Sequence, residues 1–188
     1  MKTRDLAYVA LFAALTAALG LLPAIPVAAL PVPITAQTLG VMLAGAVLGA
    51  KRGFLALLLF LVLVAVGLPV LSGGRGGLSV FVGPSAGFLY SWPVAAFVTG
   101  LLVELLWRRL NVATALLATV VGGIGVVYAI GIPFISLYAD TSLAAAATGS
   151  LVFVPGDLVK AVVAAVLAVA VRRAYPVIER PRRAAATP

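Results

Sequence analysis

The sequence predicts an all-α integral membrane protein with six transmembrane helices. Of its 188 residues, 64% are apolar and only 10% are charged, whereas an ordinary soluble domain has roughly 25% charged residues. The mean hydropathy is +1.24, and a soluble chain of this size has too little interior to bury so much apolar surface. Apolar segments recur along the whole chain, without the alternating pattern of a membrane β-barrel.

Six apolar segments approach the length of about 20 residues that a membrane-spanning helix needs. The first is not a removable signal, because no cleavage site follows it and similar segments recur. The second is short and is taken to extend into the preceding loop. Residues 140–153, ahead of the last segment, are either a short interfacial helix or a bent start to the last span. The predicted spans cover about 5–22, 36–50, 53–71, 83–106, 113–137 and 153–173.

The positive charges decide the orientation. Eleven of the 13 lysines and arginines lie on the side that six spans give to both termini. The positive-inside rule makes that side the cytoplasm, so we expect a multi-pass protein of the cell membrane with both termini inside. The predicted membrane domain is 1–175 and the predicted basic cytoplasmic tail is 176–188. The eleven cations are Lys2, Arg4, Lys51, Arg52, Arg108, Arg109, Arg172, Arg173, Arg180, Arg182 and Arg183.

The same charge distribution bears on partners. The net charge of +8 does not indicate nucleic acid, because the cations lie at the ends of apolar segments. The lipid bilayer is the expected surroundings, and anionic lipid is the expected contact of the tail.

The residue types that are missing exclude several function classes. The chain has no cysteine and no histidine, which removes thiolate chemistry, the commonest general base and the commonest metal ligand. The glycine-rich stretch near residue 75 lacks the spacing of a phosphate-binding P-loop. We therefore predict no enzyme activity, no catalytic residue, no metal site and no resident cofactor.

Asp157 and Lys160 lie within the apolar last segment. Pro155 fits the first turn of a helix, where its missing N–H costs nothing, so a helix is predicted over 155–173. The three-residue spacing puts both charges on one face. Burying a charge in lipid costs about 2.5–3.5 kcal/mol, so that face should point into the protein. We favour a ligand-binding pair, and an ion pair that only neutralises itself is the alternative.

Other polar residues lie near the loops on the predicted outer side. Thr35, Gln37 and Thr38 follow an apolar, proline-rich loop, and Gln37 and Thr38 either face the bundle or cap the helix start. Arg75 lies in the glycine-rich loop and is either a solvated arginine or a clamp for an anionic solute. Tyr90, in the fourth span, is either a ligand contact or an interfacial anchor.

Two further patterns lie in predicted helices. Ala10, Ala14 and Ala18 form a small-residue stripe on the first span, a pattern that lets helices approach closely in lipid. The stripe either packs within the bundle or docks a partner membrane subunit. Glu104 precedes Arg108 by four residues and is predicted to form an ion pair with it at the helix end.

Three stretches carry a family resemblance: "VPITAQTLGVMLAGAVLGAKRG", "GLPVLSGGRGGLSVFVGPSAGFLYSWP" and "VPGDLVKAVVA". Together, in this order and spacing, they resemble the BioY family, the biotin-specific S components of energy-coupling-factor (ECF) transporters. The resemblance extends from the first span to about Arg173. It implies the S-component fold and a vitamin pocket near the outer face, closed by the first outer loop.

The resemblance also implies roles for individual residues. Asp157 is expected to hydrogen-bond the ureido ring of biotin, and Lys160 to line the pocket. A further polar contact to the ring is expected from Arg75, Ser79 or Ser85. The alanine stripe is the expected docking face for the transmembrane coupling subunit, and two ATPase subunits complete the transporter. Biotin is then the substrate, and ATP is used by the partner subunits.

Two transport functions remain in competition. The favoured one is a high-affinity biotin-binding subunit that delivers biotin inward with an ECF module. The alternative is a self-sufficient secondary vitamin transporter that acts as an oligomer. Six spans divide into two halves of opposite orientation, as inverted repeats require. The halves show no sequence similarity, however, and one acid with one base makes a thin coupling pathway.

Overall fold

The structure, a computed structural model, describes residues 2–27 and 32–178. Within these residues the regular elements are helices, and extended backbone pairs only at two isolated bridges. A π-helical turn, Val121–Val126, joins the helices Val112–Val120 and Val127–Tyr138. The α-helices are α1 (Thr3–Leu19), α2 (Gln37–Leu48), α3 (Ala50–Ala65), α4 (Ala86–Leu105), α5 (Val112–Val120), α6 (Val127–Tyr138), α7 (Leu143–Ser150) and α8 (Val154–Ala174).

The helices coincide in position with the six predicted segments. By length and composition, three helical stretches of the described chain are able to cross a membrane: Ala86–Leu105, Val112–Tyr138 and Leu143–Ala174. The helices of the first three segments are shorter, with 17 residues in α1, 12 in α2 and 16 in α3. The all-α class is therefore confirmed, whereas the count of six spans and the side of the termini stay predictions.

A short helix precedes the last predicted span. Residues 143–150 form α7, and a 3₁₀ turn, Leu151–Phe153, joins it directly to α8. The helical path therefore continues into α8, and the choice between an interfacial helix and a bent start stays a prediction. Pro155 lies in the first turn of α8, as its missing N–H predicted.

Helix α4 is central to the bundle. It packs against α2, α3 and α6, while α2 also contacts α8 and α1 contacts α2 and α3. Helix α4 approaches the corner between α2 and α3 closely at Gly100. A Cβ atom at Gly100 would overlap the backbone of Gly49 and Ala50. Lipid is as apolar as the helix surfaces, so the hydrophobic effect does not drive helices together in a membrane. Close van der Waals packing between helices stabilises the bundle instead.

Polar contacts hold the end of the bundle where α2 ends and α3 begins. Glu104 Oε1 accepts a hydrogen bond of 2.8 Å from the backbone N–H of Ala50. The predicted ion pair between Glu104 and Arg108 is therefore wrong, because the carboxylate caps the start of α3 instead. Arg52 forms an ion pair with Asp5, with 3.2 Å between Nε and Oδ1. It also donates a hydrogen bond of 2.9 Å to the backbone oxygen of Val177.

The segment after α8 packs on this end of the bundle. Val177 and Ile178 are buried, so the packed body extends at least to Ile178. The remainder of the predicted tail, including Arg180, Arg182 and Arg183, lies outside the described residues.

The alanine stripe of α1 lies on the surface. Ala10, Ala14 and Ala18 are exposed, whereas Val9 and Ala13 on the other face are buried. The three alanines therefore do not pack within the bundle, which leaves the stripe open as a contact surface.

Candidate ligand-binding site

A cavity lies where the first turns of α2, α4 and α8 meet. Its empty volume is about 590 Å³ with the open mouth included. The loop before α2 closes one side. The lining residues are Val32, Pro33, Ile34, Thr35, Gln37, Thr38, Leu71, Arg75, Ser85, Phe88, Leu89, Trp92, Val127, Tyr128, Phe153, Asp157 and Lys160.

Four side chains form a polar cluster on the wall of this cavity. Lys160 Nζ donates to Asp157 Oδ1 at 2.8 Å and to Thr38 Oγ1 at 2.9 Å. Thr38 donates to the same Asp157 oxygen at 3.2 Å, and the Tyr128 hydroxyl donates to Asp157 Oδ2 at 2.8 Å. Asp157 is only 5% exposed, and its place in the first turn of α8 puts its carboxylate at the favourable end of the helix dipole.

This polar cluster (Thr38, Tyr128, Asp157 and Lys160) is not saturated. An ammonium group has three donors, and Lys160 uses two of them on described residues. A carboxylate oxygen accepts two hydrogen bonds, so Oδ1 of Asp157 is filled by Thr38 and Lys160. Oδ2 receives one, from Tyr128. Among the described residues, one donor on Lys160 and one acceptor on Asp157 therefore remain unused.

Arg75 is presented by a tight loop. Leu71 and Arg75 pair through backbone hydrogen bonds, and the turn between them depends on Gly73 and Gly74, whose φ angles are +79° and +68°. Residues other than glycine rarely adopt such backbone angles. Arg75 Nε donates to the backbone oxygen of Ser72 at 3.2 Å, and the residue is exposed while it also lines the cavity. A positive charge is thus available at the mouth.

Gln37 borders the cavity, but its amide is committed elsewhere. Its Nε2 donates to the backbone oxygens of Thr16 and Val70, both at 3.1 Å, and its Oε1 accepts from the backbone N–H of Ser72 at 2.9 Å. The side chain joins the end of α1 to the glycine-rich loop. Gln37 therefore faces the bundle and does not cap α2, and its contact with a ligand stays a prediction.

The other predicted site residues divide between the cavity and the surface. Thr35 and Ser85 line the cavity, and the buried Ser85 hydroxyl has no hydrogen-bond partner among the described residues. Ser79 is exposed in a 3₁₀ turn and does not line the cavity. Tyr90 is also outside, where it donates to the backbone oxygen of Phe81 and stacks on the Phe81 ring. Ser79 precedes α4 and Tyr90 lies on an exposed face of α4, so this cavity does not support their roles as ligand contacts, which stay predictions.

Two residues of the cavity were missed by sequence reasoning. Tyr128 was hidden in the middle of an apolar span, with no charged neighbour to mark it. Trp92 lines the cavity at 4% exposure, and its indole N–H has no partner among the described residues. A tyrosine hydroxyl deep in an apolar helix was the available signal for Tyr128, since buried hydroxyls need partners.

The sequence profile of the BioY family matches residues 1–177. The chain belongs to the BioY family. The resemblance predicted from three stretches of sequence is confirmed, and the matched range includes all the residues that line the cavity.

Relatives of this BioY chain are similar over nearly their whole length. "Biotin transporter BioY" of Rhizobium etli is 54% identical over 183 residues, covering 95% of this chain and 98% of that protein. "Biotin transporter BioY" of Rhodobacter capsulatus is 55% identical over 175 residues, covering 88% and 91%. A crystal structure of the S component for biotin from an ECF-type ABC transporter matches with a TM-score of 0.87 at 35% identity, over 92% of this chain and 95% of that one.

These relatives are named as transporters. This BioY chain is thus a member of a transporter family and not an enzyme, and it shares the fold of the solved S component.

Proposed function

We propose that this chain is the biotin-binding S component of an ECF-type transporter. It captures biotin with high affinity and delivers it inward together with a transmembrane coupling subunit and two ATPase subunits. The chain lies in the cell membrane with six spans and both termini in the cytoplasm. The names of its relatives and the solved S component support the ligand and the class of transporter.

The unused donor on Lys160 and the unused acceptor on Asp157 carry the assignment of the ligand. The urea ring of biotin presents an N–H next to a carbonyl oxygen. The N–H suits the open position on Asp157 Oδ2, and the carbonyl oxygen suits the third N–H of Lys160. The sulfur-containing ring and the aliphatic chain suit the apolar walls, which include Phe88, Leu89 and Val127.

The other end of biotin is a carboxylate, and Arg75 is its proposed partner. Arg75 lines the same cavity and is exposed at its mouth. A guanidinium group has five donors, and Arg75 gives one of them to Ser72 among the described residues, so a carboxylate can still be bound through two hydrogen bonds. Ser85, whose hydroxyl has no hydrogen-bond partner among the described residues, is a further proposed contact.

The exposed alanine stripe supports the proposed partnership. Ala10, Ala14 and Ala18 offer a smooth surface that another helix can approach closely in lipid. We propose this face of α1 as the docking surface for the coupling subunit.

The test is to purify the chain alone and measure biotin binding, and then to measure uptake into vesicles with and without the ECF module and ATP. Tight binding by the chain, with uptake only when module and ATP are both present, is the expected result. Gradient-driven uptake by the chain alone would instead support the alternative, a secondary transporter acting as an oligomer.

The site itself is tested by Asp157→Asn and Lys160→Met. Each substitution removes a charged hydrogen-bonding partner, and such bonds contribute about 1.5–3 kcal/mol. We expect the dissociation constant for biotin to rise roughly tenfold to hundredfold in each variant. Unchanged affinity in both variants would show that the polar cluster does not hold the ligand.

A further inference from the structure

Two side chains of one long helical stretch contact α8, although a regular α-helix would place them on opposite faces. Thr119 of α5 donates to the backbone oxygen of Ala161 at 3.2 Å, and Tyr128 of α6 donates to Asp157 Oδ2 at 2.8 Å. Ala161 lies one turn after Asp157, so both contacts fall on the same face of α8. Thr119 and Tyr128 are nine positions apart, which in an α-helix is a rotation of about two and a half turns.

The π-helical turn between them removes this conflict. Val121–Val126 has π-helical hydrogen bonding, which adds one residue to a helical turn. One added residue takes up roughly 100° of rotation. The angle between the two side chains around the helix axis then falls from about 180° to about 80°. Both side chains can therefore reach α8.

Packing explains why the π turn lies here. A Cβ atom at Gly122 would overlap the Thr99 side chain and the α4 backbone, so the turn packs in direct contact with α4. Helix α5 packs against α8, whereas α6 packs against α4 and α7. The chain therefore leaves α8 at this turn, and Tyr128 is the side chain that reaches back to Asp157.

We infer that Tyr128 is a positioning residue of the binding site and that the π turn Val121–Val126 sets its place. Its hydroxyl occupies one acceptor position of Asp157 Oδ2, so the described residues leave one open on a carboxylate that lines the cavity. In the proposed function, that position binds an N–H of the urea ring, and the inference rests on that proposal. Without Tyr128, the buried carboxylate loses a donor and is free to turn away from the ligand.

The first experiment measures biotin binding to Tyr128→Phe in detergent by calorimetry. Loss of a hydrogen bond to a charged group predicts a dissociation constant at least tenfold higher. Tyr90→Phe is the matched control, because Tyr90 also donates a hydrogen bond but lies outside the cavity. We expect its dissociation constant to stay within twofold of wild type. A change of less than twofold in Tyr128→Phe would overturn the inference.

A double-mutant cycle separates positioning from general support of the fold. If Tyr128 acts through Asp157, then Tyr128→Phe should change affinity by less than twofold in a chain that already carries Asp157→Asn. Equal effects of Tyr128→Phe in both backgrounds would overturn the inference. If Asp157→Asn alone leaves affinity unchanged, the proposed function of the site fails instead.

The role of the π turn is tested by deleting Gly125, which restores a regular helical register and rotates Tyr128 away from α8. We expect the same loss of affinity as in Tyr128→Phe. Gly125→Ala is the control, because the nearest atom that its Cβ meets is the backbone oxygen of Val120 at 3.8 Å. A deletion variant that folds and binds like wild type would refute the role of the turn. Where the deletion variant does not fold, the cycle decides.

Discussion

Replacing Gln37 with methionine should destabilise the chain strongly, because the Gln37 amide joins three backbone groups. Gln37 is 1% exposed, and methionine has a similar volume but neither donates nor accepts these bonds. The substitution leaves the N–H of Ser72 and the carbonyl oxygens of Thr16 and Val70 without this partner. At about 1 kcal/mol for each buried polar group, the lower end of the usual cost, the loss is about 3 kcal/mol.

The measurement is thermal unfolding of the purified chain in detergent without biotin. For a chain of this size, about 3 kcal/mol corresponds to a fall in Tm of roughly 6–12 °C. Thr35→Val is the matched control, since Thr35 lines the same cavity and its hydroxyl makes no hydrogen bond with the described residues. We expect its Tm to change by less than about 2 °C. If the Tm of Gln37→Met also changed by less than about 2 °C, the hydrogen bonds of the Gln37 amide would not stabilise the chain as argued.

Three further predictions concern separate parts of the molecule. Arg75→Gln should weaken biotin binding roughly tenfold but leave binding of the uncharged biotin amide unchanged, and equal losses would contradict a carboxylate contact. Ala14→Leu should reduce co-purification with the coupling subunit, while Ala144→Leu, an exposed control on α7, should not. Glu104→Ala should lower the free energy of unfolding by about 1 kcal/mol through loss of the α3 cap. Arg108→Ala should be neutral in the same unfolding assay, and the opposite ranking would restore the predicted ion pair.

Much of the fold was predictable because apolar length and charge placement are local properties of the chain. The sequence placed the helix that carries Asp157 over 155–173, and α8 is Val154–Ala174. The three-residue spacing of Asp157 and Lys160 also predicted that they share a face, as they do. The same local reasoning paired Glu104 with Arg108, and it was wrong because the carboxylate meets α3, which is distant in sequence.

The candidate binding site was only half predictable. Asp157, Lys160 and Arg75 stood out as charges in apolar or glycine-rich surroundings, and the structure brings all three to one cavity. Tyr90 and Ser79 looked equally suitable by position, yet they lie outside it. A polar residue near the end of a span satisfies the sequence pattern whichever way its side chain points.

The sequence by itself determined the class of protein, the family and the two charges around which the site is built. It did so because solvation by lipid is costly for charge, so each exception in an apolar segment is visible without knowing its neighbours. Only the tertiary structure decided that Gln37 joins α1 to the glycine-rich loop and that Tyr128 donates a hydrogen bond to Asp157. These contacts depend on which helices meet and on one π turn that interrupts the regular period, and sequence periodicity assumes that no such interruption occurs.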